Sequence, residues 1–181
     1  MISMRRNAAR RHHQQGTHHA WFTFYPRDCS APSADGFGGT LLSLDELWLS
    51  PGEGTTAHLG EEAEVITYVY KGTLAQEDSN GNTGVMHAGE FQHMSTGQGV
   101  RHKEANASRT EWAHIFKITL HPWEVGLVCA YQQKRFTTAH RHNRLRVIAS
   151  PDGRKGSLRI HQDALLFSSI LEPGTHLVHQ L

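Results

Sequence analysis

Short apolar stretches separated by turn-forming residues run through the chain from residue 21 onward. Strand-length apolar segments occupy residues 22–25, 41–49, 65–70 and 115–120, and glycines fall between them. No segment sustains a helical period with caps over three turns. The pattern therefore predicts an all-β fold, either a sandwich or a barrel.

Two local segments refine this prediction. Residues 77–82 read Glu-Asp-Ser-Asn-Gly-Asn and predict a β-hairpin, because Asn-Gly suits a tight type I′ turn. Arginine, histidine and glutamine dominate residues 1–19, where little can be buried. That composition predicts a flexible N-terminal arm.

Composition narrows the class of protein. The 181 residues carry 18 Lys and Arg against 17 Asp and Glu, a net charge of +1 that argues against a dedicated nucleic-acid clamp. No apolar run approaches the roughly 18 residues of a membrane helix, and no signal peptide is evident. Cys29 and Cys129 form no CxxC pattern, so we expect a reducing, cytoplasmic location.

Charge is unevenly distributed beneath the neutral total. Residues 45–66 hold six acids and no Lys or Arg, whereas residues 134–159 hold eight bases and one acid. We interpret the basic stretch as a solvated face or a complement to the acidic stretch, in preference to a nucleic-acid surface.

Fifteen histidines raise the question of a metal site, because neutral imidazole is a common metal ligand. If the strand predicted at 65–70 extends backwards, alternation puts four residues on one face: His58, Gly60, Glu62 and Glu64. His102 and Glu104 also share a face. Two such strands predict a mixed N/O site for Fe(II), Mn, Ni or a similar divalent ion. The alternative is that these are surface or core histidines beside solvated glutamates.

An ordered succession of motifs resembles the pirin family of cupins. The matching positions are 21–24, 37–38, Gly52, His58, Glu64, Thr67, Tyr68, Gly72, 78–81, 88–90, 97–104, 131–136 and 149–164. The resemblance implies a cupin fold, a double-stranded β-helix or jelly-roll barrel, in a bicupin-like arrangement. It also implies one metal in the N-terminal barrel, commonly iron.

Carried over from the family pattern of H-x-H and H-x-E, the ligands would be His58, His102 and Glu104, and the second histidine falls on Gly60. Either Glu62 or Glu64 supplies the missing ligand, giving His58, Glu64, His102 and Glu104, or the site is weakened or empty. We favour an altered site holding Fe(II), with Mn, Ni, Cu, Co and Zn as alternatives.

The resemblance divides the chain into the arm at 1–19, an N-terminal cupin at 20–122 and a partial C-terminal cupin at 123–181. We expect this incomplete second barrel either to pack on the first or to pair with another subunit in a homodimer. Residues 139–142, Ala-His-Arg-His, are interpreted as a basic loop, and His87 and His93 as structural.

Family resemblance implies a quercetin 2,3-dioxygenase-like reaction on a small aromatic, flavonol-like substrate. Glu64 would complete the metal shell or act as general base toward the substrate hydroxyl. The alternative is a regulatory protein that binds a protein partner with or without metal, through the 45–64 and 134–159 stretches.

Overall fold

Strands make up most of the structure, a computed structural model that describes residues 6–24, 39–55, 58–59, 62–79, 81–97 and 101–179. The strands are β1 (Arg11–Gln15), β2 (His18–Phe24), β3 (Leu41–Leu49), β4 (His58–Leu59), β5 (Glu64–Lys71), β6 (Thr73–Asp78), β7 (Thr83–His87), β8 (Glu90–Ser95), β9 (Arg101–Asn106), β10 (Ala113–Leu120), β11 (Ala130–Arg135), β12 (Arg146–Ser150), β13 (Leu158–Arg159) and β14 (Leu166–Ser168). One four-residue helix, α1 (Thr138–Arg141), and short 3₁₀ turns accompany them. No helix in these ranges is long and apolar enough to cross a membrane.

Two antiparallel sheets form the barrel. The large sheet has the order β1-β2-β3-β10-β5-β8-β11, and the small sheet has the order β4-β9-β6-β7. Sequence neighbours are repeatedly separated in both sheets, as expected for a jelly roll. The hairpin predicted at 77–82 is confirmed, since β6 pairs with β7 and the backbone N–H of Asn82 donates to Asp78 Oδ1 (3.0 Å).

An apolar core closes one end of the barrel. Alternation along the strands points Leu47, Val69 and Ile115 inward, and these three lie in register across β3, β10 and β5. Leu74 and Met86 meet them from the small sheet. These side chains fix the two sheets face to face.

The C-terminal segment packs on the outer face of the large sheet. Ile66 and Phe91 point outward from that sheet and share a buried cluster with Ile148, Leu158 and Ile160. A separate three-stranded sheet of order β13-β12-β14 carries this covering layer. These contacts agree with the first of the two arrangements expected from the sequence, in which the segment packs on the first barrel.

Arg141 anchors this layer, and the interpretation of residues 139–142 as a basic loop is corrected here. Arg141 ends α1 and is only 4% exposed. Its Nη1 donates to the Tyr68 hydroxyl (3.0 Å) and the guanidinium lies over the rings of Tyr68 and Phe91 at 5.3 and 5.6 Å. The Arg141 guanidinium is therefore buried within the fold, where its contacts with the two aromatic rings stabilise it.

The flexible arm expected at 1–19 is corrected for residues 11–19. β1 pairs with β2, and β2 pairs with β3, so these residues extend the large sheet. All five side chains of β1 are exposed, and its pairing with β2 rests on backbone hydrogen bonds and on stacking of His12 against Trp21, which composition does not reveal. Residues 1–5 lie outside the described ranges.

Replacing Ile148 with alanine tests whether the covering layer shares one core with the barrel. Ile148 is fully buried, so Ile148→Ala should lower the free energy of unfolding by about 2–5 kcal/mol, as measured by chemical denaturation. Val178→Ala is the control, because Val178 is 83% exposed and its loss should cost less than about 0.5 kcal/mol. An Ile148→Ala variant as stable as the wild type would contradict the shared core.

Candidate metal centre

Strand β9 turns one row of polar side chains into the barrel. Exposed and buried residues alternate along it, and the buried members are His102, Glu104 and Asn106, each at most 4% exposed. His102 and Glu104 therefore lie on one face, as the i, i+2 spacing predicts, and that face is the interior of the barrel.

A second row runs across the small sheet at the level of His102. The backbone of His58 in β4 lies directly opposite His102, and Asp78 in β6 lies opposite His102 on its other side. Directly opposed residues are neighbours across an antiparallel pair, so the register brings the backbones of the two predicted histidines together. Gly60 lies outside the described residues.

The facing wall of the large sheet is polar at the level of Glu104 and Gln76. Asp45, Lys117, Thr67 and Gln92 lie in register across β3, β10, β5 and β8. The Lys117 ammonium forms an ion pair with Glu104 across the barrel, and both side chains are largely buried. A polar layer thus separates the apolar end of the barrel from the candidate site.

Glu64 lies elsewhere, and its predicted roles as ligand and general base are corrected. Its carboxylate is on the outer face of β5, where Oε2 accepts hydrogen bonds from His93 Nε2 (2.6 Å) and from the backbone N–H of His161 (2.8 Å). The prediction assumed one continuous strand from His58. Instead β4 belongs to the small sheet and β5 to the large one, so alternation does not carry across.

Glu62 is also away from the interior face. Its Oε1 accepts a hydrogen bond from the backbone N–H of Gly126 (2.9 Å). Neither of the two carboxylates offered as a replacement for the missing histidine therefore contacts His102 or Glu104 among the contacts that the structure describes.

Glu64 and His93 instead tie the covering layer to the barrel. Both side chains have no exposure, and Gln132 links His93 to the backbone of Arg159. Burial by itself raises the pKa of Glu64, but the hydrogen bonds from His93 and from the His161 backbone outweigh it and hold the pKa at about 2. The structural role expected for His93 agrees with this geometry.

A cleft of about 570 Å³ lies beside the candidate site. Its walls include Gln76, Asp78, Met94, Cys129 and Tyr131, and the first three belong to the inward rows of their strands. Burial raises the pKa of the Cys129 thiol, and the negative charge of Asp78 adds to the effect. The cleft is large enough for a small aromatic ligand.

The described donors agree in kind with a divalent metal. The imidazole of His102 and the carboxylate of Glu104 are the described donors, and the backbone of His58 pairs with that of His102, while the His58 side chain lies outside the described ones. Within the side chains that the structure describes, no three His, Cys, Asp or Glu residues cluster closely enough to hold a metal ion. A third donor would have to come from His58, whose backbone pairs with that of His102.

Comparison with known proteins agrees with this architecture. The family model for pirin matches residues 3–120, and a model for the quercetinase C-terminal cupin domain matches residues 147–181. The chain belongs to the pirin family. This confirms both the resemblance and the predicted cupin fold.

Individual relatives are similar along most of the chain. This pirin is 36% identical to a quercetin 2,3-dioxygenase of Escherichia coli (strain K12) over all 181 residues, which span 77% of that protein. It is 35% identical to a putative quercetin 2,3-dioxygenase of Pasteurella multocida over 70% of this chain and 53% of that protein.

Among solved structures, this pirin resembles the bacterial pirin YhhW of Escherichia coli in complex with nickel(II). The TM-score is 0.82 at 36% identity, covering 92% of this chain and 70% of that one. A second crystal structure of YhhW matches with the same TM-score and coverage at 37% identity.

Sequence reasoning missed two charged residues of the interior. The sequence predicts Asp78 only as part of a turn, although it continues the inward alternation of Leu74 and Gln76 along β6. Sequence analysis does not single out Lys117, although it stands two residues from the buried Ile115, a position that alternation turns inward.

Acid titration tests the Glu64–His93 link. Because the pKa of Glu64 is about 2 in the folded protein and 4.5 ordinarily, its ionised form stabilises the fold above pH 4.5, and this stabilisation is lost as the pH falls toward 2. Glu64→Gln should therefore cost on the order of 3 kcal/mol at neutral pH and progressively less below pH 4.5, as measured by denaturation.

The control is Glu111→Gln, since the Glu111 side chain is exposed. It should follow the wild type at every pH. A Glu64→Gln deficit that stays constant from pH 7 to pH 2 would contradict the role given to the ionised carboxylate.

Proposed function

We propose that this pirin binds a divalent metal through His58, His102 and Glu104 and catalyses a quercetin 2,3-dioxygenase-like reaction on a flavonol-like substrate. The observation that carries the proposal is the register of β4 with β9, which sets His58 opposite His102 while Glu104 shares the buried interior face. The names of the relatives supply the reaction class.

The donor set favours a borderline transition metal. Two imidazoles and one carboxylate suit Fe(II), Mn, Ni or Co better than Ca²⁺ or Mg²⁺, which prefer oxygen ligands. Nickel(II) is a suitable first probe because a related pirin is known in complex with it. When bound, the metal would act as a Lewis acid toward the substrate hydroxyl and bring substrate and O₂ together.

The side chains of the cleft provide binding and proton transfer. Met94 and Tyr131 offer surface for an aromatic ring, and Gln76 offers an amide at the level of Glu104. Asp78 lies opposite His102 in register and takes the role of proton acceptor for a substrate hydroxyl. Sequence analysis predicts that role for Glu64. Hydrogen bonds from the Asn82 backbone and side chain hold the Asp78 carboxylate in place.

A regulatory role through the two charged stretches has less support. Several of their charges are used inside the fold: Glu64 contacts His93, Arg141 is buried, and Lys134 Nζ donates to the backbone oxygens of Gly156 and Ser157. Binding of a partner is the function that would remain if no metal bound.

Nickel(II) titration of purified protein tests the metal site. Isothermal titration calorimetry should give one site per chain in the wild type, a loss of affinity of at least about a hundredfold in Glu104→Gln, and a gain of at least about tenfold in Gly60→His, because one ligand is removed or added. His87→Ala, which removes an exposed histidine, is the matched control and should bind as the wild type.

Oxygen uptake tests the reaction. After loading with iron, nickel, manganese, copper or cobalt, the wild type should consume O₂ only when quercetin is present, and Glu104→Gln should not. Nickel binding without quercetin-dependent O₂ uptake would contradict the proposed dioxygenase activity. If neither the wild type nor Gly60→His binds nickel, the proposed metal site is contradicted.

A further inference from the structure

A lysine side chain lies inside the barrel at the proposed metal site. Lys117 belongs to the inward row of β10, its side chain is 13% exposed, and its ammonium pairs with Glu104, which is 4% exposed. A carboxylate buried to this degree requires a counter-charge, because removing one partner of a buried ion pair is strongly destabilising. Lys117 supplies that charge within the chain itself.

A second carboxylate lies on the other side of Lys117. Asp45 is the neighbour of Lys117 in register on β3. Its Oδ2 accepts a hydrogen bond from Ser43 (3.0 Å), whereas its buried Oδ1 has no hydrogen-bond partner among the described residues. A buried acceptor without a donor is costly, so Oδ1 is a ready acceptor for an ammonium group.

Electrostatics couples these two groups. Burial raises the pKa of Asp45 to about 6, and the positive charge of Lys117 acts in the opposite direction. The two charges therefore interact in the present arrangement, although the ammonium contacts Glu104. Because Asp45 is the neighbour of Lys117 in register, a different rotamer of the flexible lysine stem would turn the ammonium from Glu104 toward Asp45.

We propose that Lys117 is a two-position internal cation that competes with the metal for Glu104 and is received by Asp45 when the metal binds. The inference rests on the proposed metal site. It makes Lys117 and Asp45 positioning residues, which set the affinity of the site without being ligands.

The physical reason is charge crowding. A divalent cation and an ammonium repel each other strongly at short range in a poorly solvated interior. When the Lys117 ammonium moves to Asp45, one ion pair replaces another. The metal can therefore bind and dissociate without leaving a buried carboxylate that has no counter-charge. The cost of that exchange lowers the metal affinity below that of the same ligands without the lysine.

Nickel(II) titration of four proteins tests the competition: wild type, Lys117→Gln, Asp45→Asn and the double variant. Lys117→Gln should raise the affinity at least about tenfold, because the competing cation is gone. Asp45→Asn should lower it by about tenfold, because the displaced ammonium loses its receiving carboxylate. In the Lys117→Gln background, Asp45→Asn should have a clearly smaller effect, because only its direct attraction for the metal remains.

The double variant separates the proposed exchange from a simple charge effect. If Asp45 only attracted the metal at a distance, its replacement would weaken binding equally in both backgrounds, which would overturn the proposal. Lys103→Gln is the matched control, because Lys103 is on the same strand as Glu104 but 59% exposed and paired with Glu77. It should bind nickel as the wild type does.

A thermal readout keeps the test independent of enzyme activity. Without metal, Lys117→Gln should melt below the wild type, because Glu104 loses its counter-charge, and nickel should raise its Tm by more than that of the wild type. Lys117→Met serves if the glutamine variant fails to fold.

Two outcomes distinguish failure of the Lys117 exchange from failure of the proposed metal site. If Gly60→His binds nickel while Lys117→Gln binds it no better than the wild type, only the exchange is refuted. If none of these proteins binds nickel, the metal site itself is refuted and the exchange with it.

Discussion

Burial of the large sheet on both faces is the constraint on which the rest of the molecule depends. Its central strands face the barrel interior on one side and the C-terminal layer on the other, so each polar side chain along them needs a partner in one of two dry environments. On the outer side Glu64 is paired with His93. On the inner side Lys117 is paired with Glu104. Side chains alternate between the two faces along each strand. This alternation places the structural Glu64–His93 pair on the outer face and the Lys117–Glu104 pair of the candidate site on the inner face.

The division between the two faces of the large sheet explains which features could be predicted from the sequence and which could not. Alternation at residues 65–70 and the spacing of His102 and Glu104 are properties of single strands, so the fold class and the shared face could be predicted. The side of the barrel on which Glu64 falls depends on which sheet receives the next strand, and no local pattern encodes that choice. Likewise, β1 could not be predicted from burial, because all of its side chains are exposed.

The net charge of the chain also gives no information about which charged side chains lie inside the barrel. A total of +1 conceals at least four charged groups in or beside the barrel core: Asp45, Asp78, Glu104 and Lys117. Three are acids and one is a base, so this layer carries an excess of negative charge that a cation would relieve. The fold tolerates it because apolar layers such as Leu47, Val69 and Ile115 hold the sheets together independently.

The cleft also has a redox aspect. Peroxides attack thiolates and leave neutral thiols largely untouched, and the raised pKa of Cys129 keeps its sulfur protonated at neutral pH. Asp78, which contributes to that raised pKa, lines the same cleft. Burial of the thiol and the negative charge of Asp78 both act against the thiolate form, so Cys129 is expected to react slowly with peroxide.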